Sequence, residues 1–326
     1  MNSFAIWYNS DKDGAIETDN EVELHFNLWK LKKRNTTFVK FNKKKKSNMF
    51  LDIGIKLNNI NHIDNIKIFI PFKKINIDDI EDLGIRMKDN RKLINGIFND
   101  DCEIRHNCSE DGFTVKRKNE EIKIHTLDYE YQKNLSIEVI SEGCIIAIKT
   151  SEDKSSNEEK AYYRFRISGK SINEFGRNLK SRDNILKTYS ESNHIIDFRV
   201  NEKRALPENL NMLLQKNNQF KIKTIHFLLL MDINYKLACT GLDYTMRALE
   251  DKLWEEYLDD KYETGCLVGY HWKESNDNGI ENFNSLIRIK DIESNFITIG
   301  IYIIGVIVLS IISSIISSVL YDYWVN

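Results

Sequence analysis

Charged side chains at alternate positions of two predicted strands form the first candidate for a binding site. The segment YYRFRIS places Arg164 and Arg166 two residues apart, and the segment HIIDFRVNEKR contains Asp197, Arg199 and Arg204. Alternate residues of a strand share one face of a sheet, and arginines in such positions can donate paired hydrogen bonds to a phosphate group. These five residues are the predicted ligand-binding set. A structural ion pair at a strand end is the simpler alternative for Asp197 and Arg199.

The sequence contains no arrangement that predicts a catalytic residue. His194 and Asp197 are three residues apart in a predicted strand, so they point to opposite faces, which argues against an acid–base pair. The segment SGKS at Ser168–Ser171 matches the end of a phosphate-binding P-loop, but Arg164 stands where the first glycine is required. The sequence therefore favours a binding protein over an enzyme and predicts no cofactor.

Two segments resemble parts of metal sites without completing them. NSDKDG at Asn9–Gly14 has the alternating oxygen ligands of a calcium loop, but Asn20 stands where a bidentate glutamate is required. CEIRHNC at Cys102–Cys108 offers thiol and imidazole ligands, and no second cluster follows at a spacing typical of zinc sites. We therefore predict no metal site, and interpret the two segments as a polar turn and a surface loop.

The end of the chain is strongly apolar. Phe296 to Leu320 is a run of 25 residues without a charge, which as a helix would be about 37 Å long. This length exceeds the hydrocarbon thickness of a bilayer, about 30 Å, so the run predicts a single membrane-spanning helix. Arg288 and Lys290 precede the run and no basic residue follows it, which favours a cytoplasmic N-terminal part. Only residues 321–326 would cross to the other side.

Small residues are concentrated on one side of this predicted helix. At 100° per residue they fall within an arc of about 140°. Such a stripe lets two helices approach closely and hydrogen-bond, at about 0.6 kcal/mol for each bond. The alternative is that each serine bonds a carbonyl of its own helix. The predicted self-association set is Gly300, Ser310, Ser313, Ser314, Ser317 and Ser318.

A basic stretch, Lys30–Lys46, interrupts a chain whose formal net charge is −2. Beside a membrane, such lysines can contact anionic lipid headgroups, at about 1 kcal/mol for each residue near the surface; the alternative is a solvated hairpin. Nucleic acid is not favoured, because the chain as a whole is not basic. The predicted membrane-surface set is Lys43, Lys44, Lys45, Lys46, Arg288 and Lys290.

The rest of the chain alternates polar and apolar residues with the period of a strand, as in VELHFNLWKL and FLDIGIKL. We predict a mainly β fold, an antiparallel sandwich or barrel-like domain with a few short helices. Leu242–Asp260 is predicted as an amphipathic helix. The predicted organisation is a β-rich domain over 1–235, this helix and a closing strand over 236–272, a linker over 273–295, the membrane helix over 296–320 and a short tail.

These features together predict a tail-anchored, single-pass membrane protein. The five cysteines are odd in number and few, which suits a reducing cytosol. The leading hypothesis is a cytosolic domain that senses an unidentified ligand or protein and a helix that forms homo-oligomers; in a bacterium, this suits a stress or phage-defence effector that perturbs the membrane. The alternatives are a constitutive membrane scaffold for a soluble partner and a membrane-bound hydrolase with an unmarked site.

Overall fold

The computed structural model describes residues 3–10, 20–32, 47–105, 112–118, 120–128, 134–150, 160–173, 175–179, 191–239, 242–258, 262–292 and 296–325. Strands dominate these ranges, which confirms the predicted mainly β fold. The strands are β1 Ala5–Asn9, β2 Glu21–Lys32, β3 Ser47–Leu57, β4 Asn65–Ile70, β5 Ile80–Asp82, β6 Cys102–Arg105, β7 Gly112–Arg117, β8 Glu120–His125, β9 Leu135–Ile140, β10 Gly143–Lys149, β11 Lys160–Ile167, β12 Gly176–Leu179, β13 Glu191–Val200, β14 Asn218–Gln219, β15 Lys221–Asp232, β16 Tyr235–Cys239, β17 Thr245–Ala248, β18 Leu267–Ser275 and β19 Phe283–Ile292.

The helices in the described ranges are short, apart from the one that ends the chain. Two single 3₁₀ turns accompany them, at Ile77–Asp79 and Lys203–Ala205. The α-helices are α1 Gly84–Met87, α2 Arg91–Phe98, α3 Lys170–Asn173, α4 Glu208–Lys216, α5 Asp251–Tyr257 and α6 Phe296–Val325.

The strands form three sheets. A large central sheet has the order β17-β18-β15-β2-β3-β11-β8-β7-β6, with β5 paired beside β11. A second sheet has the order β14-β1-β4-β10-β9, and a third has the order β12-β13-β19-β16. In the described part of the chain none of the sheets closes into a barrel, so the sandwich form of the prediction describes the fold. Two pairs, β2 with β15 and β8 with β11, are parallel, whereas the sequence predicted antiparallel pairing throughout.

One face of the central sheet packs against the two smaller sheets. Alternate residues of β2, beginning with Val22 and Leu24, bury apolar side chains on this face. They meet Ile68 of the second sheet and Ile287 of the third in one continuous hydrophobic core. The period of two along each strand thus places every second side chain in the interior.

The opposite face of the central sheet is covered in part by short helices. A second core contains Trp29 and Leu230 from the sheet, Leu93 from α2, and Trp254 and Tyr257 from α5. This face carries polar as well as apolar side chains, since residues such as His25 and Asn27 lie in the same alternating row as Trp29. The candidate site described below lies on this face.

Two of the predicted segment boundaries near the C-terminus are wrong. The amphipathic helix begins only at Asp251, because Thr245–Ala248 pairs with β18 as an edge strand instead of continuing the helical pattern. The predicted linker over 273–295 lies largely within strands: β18 continues to Ser275, and β19 pairs with β13 over ten residues. The polar composition of this stretch reflects exposed strand positions and a turn.

The chain ends in the long apolar helix α6. Within it, Tyr302–Val325 is long and apolar enough to cross a membrane by length and composition, and none of it is buried against the rest of the protein. The confirmed features are therefore a β-rich domain and one C-terminal helix of the kind that spans a bilayer.

Candidate functional site

A cavity of about 650 Å³ lies on the helix-covered face of the central sheet. Its floor is formed by alternate residues of β2, β15 and β18, and its walls come from α2, β17 and α5. The residues that line it are Glu23, His25, Asn27, Lys56, Gly96, Ile97, Phe98, Asn99, Arg117, Arg164, Thr224, His226, Leu228, Leu230, Thr245, Met246, Arg247, Leu249, Trp254, Gly269, His271 and Lys273.

Three histidines from three neighbouring strands meet on the cavity floor. His25 of β2 is directly opposite His226 of β15, and their rings are edge-on with centroids 4.9 Å apart. His226 Nδ1 lies 2.9 Å from Nε2 of His271 on β18, so one ring donates a hydrogen bond to the other. The sheet register brings these side chains together, although they are up to 246 positions apart in sequence (271 − 25).

A chain of hydrogen bonds leads from this cluster into the interior. His25 Nδ1 lies 3.2 Å from the Tyr162 hydroxyl, which accepts a bond from Arg164 Nη1 at 3.0 Å. Because that hydroxyl already accepts from a cation, its own proton is free to go to His25, which places the proton of neutral His25 on Nε2. Arg164 Nε donates in turn to the Tyr257 hydroxyl at 2.9 Å.

The chain ends at Asp52, a fully buried carboxylate. Arg166 donates to both of its oxygens, from Nε at 2.7 Å and Nη2 at 3.1 Å. Tyr257 Oη and Trp29 Nε1 each donate to Oδ2, at 2.7 and 2.8 Å. Burial alone disfavours the charge on Arg166, but the Asp52 carboxylate outweighs burial and raises the pKa of Arg166 above its ordinary value.

Gly54 makes room for this arrangement. It lies opposite His25 on β2 and opposite Arg164 on β11. A Cβ atom added at Gly54 would lie 2.4 Å from the Tyr162 hydroxyl oxygen and 3.1 Å from His25 Cβ. The absence of a side chain therefore allows the tyrosine hydroxyl to reach the histidine across the strand.

The cavity walls carry mostly positive charge. Among the described residues that line it, Lys56, Arg117, Arg164, Arg247 and Lys273 are cations and Glu23 is the one carboxylate. Lys56 pairs with Glu23 at 3.3 Å and Glu120 at 3.5 Å, and Arg117 pairs with Asp100 at 2.8 Å.

The histidines are neutral at physiological pH. Burial, together with the neighbouring His271, Lys273 and Lys56, lowers the pKa of His226 to about 4. Burial also lowers the pKa of His25 well below its ordinary value, with further contributions from His226 and Arg164. Burial and the nearby Arg247 and Lys273 lower the pKa of His271. Neutral imidazoles beside fixed cations can bind an anion and, once it is bound, take up a proton.

The structure separates the five residues predicted as a ligand set. Arg164 lines the cavity, and Arg166 lies beneath it on Asp52. Arg199 donates to Asp197 through Nε and Nη2, both at 2.8 Å, which is the structural ion pair given as the simpler alternative. Arg204 lies elsewhere, where its Nε donates to Glu202 at 2.9 Å beside a second cavity. The predicted set as a whole does not form one site.

The residues that define the cavity floor were missed from sequence. His25, His226 and His271 each occupy a polar position of a strand, and nothing in the sequence alone distinguishes them from the other polar strand positions. An isolated histidine in a strand is more often a core or surface residue than part of a site. The pairing of β2 with β15 and of β15 with β18 is needed to show that the three meet.

Several predicted residues fall outside the described part of the chain. Lys43, Lys44, Lys45 and Lys46 do so, as do 11–14 of the calcium-like segment and 106–108 of the cysteine-containing one. Of the predicted membrane-surface residues, Arg288 and Lys290 are described, on β19, and Arg288 Nε donates to Asn193 Oδ1 at 3.2 Å.

The fold and the cavity define the chain as a β-rich domain with a basic cavity and one C-terminal apolar helix. No model of a known protein family matches the sequence, and comparison with curated proteins finds no significant match. The site's own chemistry is therefore the basis for a functional proposal.

Proposed function

We propose that this is a tail-anchored, single-pass membrane protein whose cytosolic β-rich domain binds a small anionic ligand in the cavity on its central sheet. The observation that carries the proposal is the charge of the cavity: five cationic side chains and one carboxylate line it. This ligand-binding function is favoured over the constitutive scaffold, because a scaffold has no need of a polar cavity in its sheet.

Among the residues that the structure describes, two of the cations lack a carboxylate partner. Arg247 of β17 and Lys273 of β18 have no carboxylate within ion-pairing distance among the residues that the structure describes. Both are within reach of His271, since each contributes to the low pKa of that ring. A concave surface with uncompensated positive charge attracts anions and strengthens their binding as water is displaced.

The helix α6 supplies the membrane anchor in this proposal. It is apolar along its length, and its segment Tyr302–Val325 is not buried against the rest of the protein. Arg288 and Lys290 on β19 favour the orientation in which the β-rich domain is cytoplasmic. The serines of the predicted self-association set, here called the serine stripe, then face other copies of the helix, and hydrogen bonds between these serines favour self-association.

The two parts together suggest how a signal passes from the ligand to the membrane. Ligand binding in the cavity would change the arrangement of the β-rich domains, and self-association of α6 would follow. In a bacterium this suits a stress or phage-defence effector that perturbs the membrane. A constitutive scaffold differs in that its oligomeric state is the same with and without ligand.

The anion-binding part is tested by isothermal titration of the full-length protein in detergent micelles with inorganic triphosphate. We expect binding that weakens at least tenfold in the double variant Arg247→Gln/Lys273→Gln. The matched control is Arg91→Gln/Lys73→Gln, which removes the same two charges from exposed ion pairs whose residues do not line the cavity. An absence of triphosphate binding, or equal loss in both double variants, would reject the proposal.

The anchoring and assembly parts are tested by crosslinking the full-length protein in native membranes. We expect higher-order species that are lost when Ser310, Ser314 and Ser317 are replaced together by Leu, which retains the apolar character of α6 and removes the hydroxyl groups. Recovery of the protein in the soluble fraction would refute the anchor. Unchanged crosslinking in the triple variant would show that the serine stripe does not drive assembly.

A further inference from the structure

We propose that the ligand of the cavity is a nucleotide, with its phosphates at the histidine-rich end and its base at the opposite, apolar end. This inference rests on the proposed anion-binding function and names the ligand class. It is carried by the polarity gradient along the cavity floor and by two buried hydrogen-bond donors that have no acceptor among the residues that the structure describes.

The sheet register sorts the floor into two ends. Along β15 the side chains change from Thr224 and His226 to Leu228 and Leu230. His226 is opposite His25 on one side and Lys273 on the other, so the floor of the first end is basic. Arg247 lies on the wall toward the second end, since it is paired with Gly269. Successive same-face residues of a strand are about 6.6 Å apart, so His226 and Leu230 are about 13 Å apart, which leaves room for a phosphate group at one end and a base at the other.

The second end is apolar and has a glycine in its floor. Leu230 lies opposite Gly269 of β18, and the ideal Cβ position of that glycine is 3.4 Å from both Leu230 and Leu249. Trp254, which packs on Trp29, completes this end, whereas Phe98 contacts the Tyr162 ring beside His25. Flat aromatic rings and branched aliphatic groups are suitable contacts for the faces of a nucleobase.

The first unpartnered donor is at the basic end. Arg164 is fully buried and lines the cavity, yet its Nη2 has no hydrogen-bond acceptor among the described residues. The nearest carboxylate oxygen, Asp52 Oδ2, is 3.9 Å away, beyond hydrogen-bonding distance. A buried guanidinium nitrogen without an acceptor is costly, and a phosphate oxygen would supply the acceptor.

The second unpartnered donor is at the apolar end. Trp254 is buried there, and its Nε1 has no acceptor within the part of the chain that the structure describes. A nucleobase offers ring nitrogens or carbonyl oxygens as acceptors for this indole N–H. The hydrocarbon chain of a lipid offers none, so the donor favours a nucleotide over an anionic lipid, the other ligand that joins a phosphate to an apolar body.

The neutral histidines give the inference a second readout. Phosphates placed beside His25 and His226 would favour the charged imidazole and raise the low pKa values of these rings. Binding would then be accompanied by proton uptake, and affinity would increase as the pH falls from 7 toward 5.

The experiment compares four kinds of probe on the full-length protein in detergent micelles by isothermal titration: the four ribonucleoside 5′-triphosphates, inorganic triphosphate, the nucleosides and dodecyl phosphate. We expect at least one nucleotide to bind ten times or more tightly than inorganic triphosphate, and more tightly than dodecyl phosphate. Titration in two buffers of different ionisation enthalpy measures the expected proton uptake.

Variants locate the two ends. Trp254→Phe should weaken nucleotide binding by about five- to tenfold, the effect of one hydrogen bond, and leave inorganic triphosphate binding unchanged. The matched control is Trp272→Phe, which removes another buried indole N–H that has no acceptor in the described ranges, from a residue that does not line the cavity. Lys273→Gln should weaken the binding of both the nucleotide and inorganic triphosphate.

The outcomes separate this inference from the proposal on which it rests. If triphosphate and nucleotides bind equally, or if Trp254→Phe and Trp272→Phe have the same effect, the nucleotide inference is rejected and the anion-binding function stands. If dodecyl phosphate binds most tightly, the ligand is a lipid and the inference is again rejected. If no anionic probe binds, both fail.

Discussion

Replacing Asp52 by Asn tests whether the buried charge cluster holds the site together. Asp52 accepts hydrogen bonds from Arg166, Tyr257 and Trp29, and no part of it is exposed to solvent. The substitution retains the shape of the side chain, removes its charge and replaces one acceptor oxygen by a donor. Arg166 and Arg164 are then left buried without a compensating carboxylate.

The expected cost follows from burial. Breaking a buried ion pair by removing one partner typically lowers the free energy of unfolding by about 3–5 kcal/mol, because the remaining charge is left uncompensated. We expect Asp52→Asn to fall in this range. The loss would be largest for the contacts between β3, β11 and α5, which the cluster joins.

The protein contains a matched control for this experiment. Arg199 and Asp197 form the same two-bond arrangement as Arg166 and Asp52, but their side chains are 21% and 32% exposed. An exposed pair is worth about 0–1 kcal/mol, so Asp197→Asn should have a small effect. The measurement is urea unfolding of full-length protein in detergent micelles, followed by tryptophan fluorescence. Equal destabilisation by the two substitutions would refute the argument from burial.

Three further predictions concern the same region and its pH dependence. Gly54→Ala should lower the free energy of unfolding by about 1–3 kcal/mol, since the added Cβ would overlap the Tyr162 hydroxyl. Gly265→Ala, whose added Cβ would have no atom within 4 Å, should be nearly neutral in the same urea titration. Equal destabilisation by the two substitutions would refute the argument from steric overlap. Burial lowers the pKa of His125 to about 3, below its unfolded value of about 6.5. The contribution of this ring to the free energy of unfolding is therefore fully present above pH 6.5, and about 2 kcal/mol of it is lost between pH 6.5 and 5. His125→Phe should reduce the slope of the free energy of unfolding against pH, and an unchanged slope would contradict the assignment. Tyr257→Phe should cost about 1–3 kcal/mol by leaving buried charged groups short of a partner, whereas a melting temperature equal to that of the unaltered protein would show that the hydroxyl is dispensable.

The strands were largely predictable, because their side chains alternate. VELHFNLWKL predicted β2, and FLDIGIKL predicted β3, which the structure places at Ser47–Leu57. The pairing was not predictable in the same way. The parallel pairing of β2 with β15 joins segments about 200 residues apart (221 − 21), and nothing local in either strand specifies its distant neighbour.

The same limitation explains what was missed at the site. Arg164 and Arg166 were selected because they alternate in one strand, but their partners Asp52 and Tyr257 come from distant segments. The failure at Leu242–Asp260 has a different cause. Its apolar spacing fits a helix, yet Thr245–Ala248 gains backbone hydrogen bonds as an edge strand on β18, and tertiary pairing overrides local periodicity.

The short segment between β19 and α6 limits how far the β-rich domain can move away from this helix. Three residues, 293–295, separate the end of β19 from the start of α6, and four Cα–Cα steps span at most about 15 Å. A flexible linker of the predicted 23 residues would have an average reach of about 25 Å. With α6 inserted in a bilayer, β19 and the sheet that flanks it would stay at the membrane surface. Encounters between copies would then occur by diffusion in two dimensions, and their frequency would depend on the number of copies in a given area of membrane.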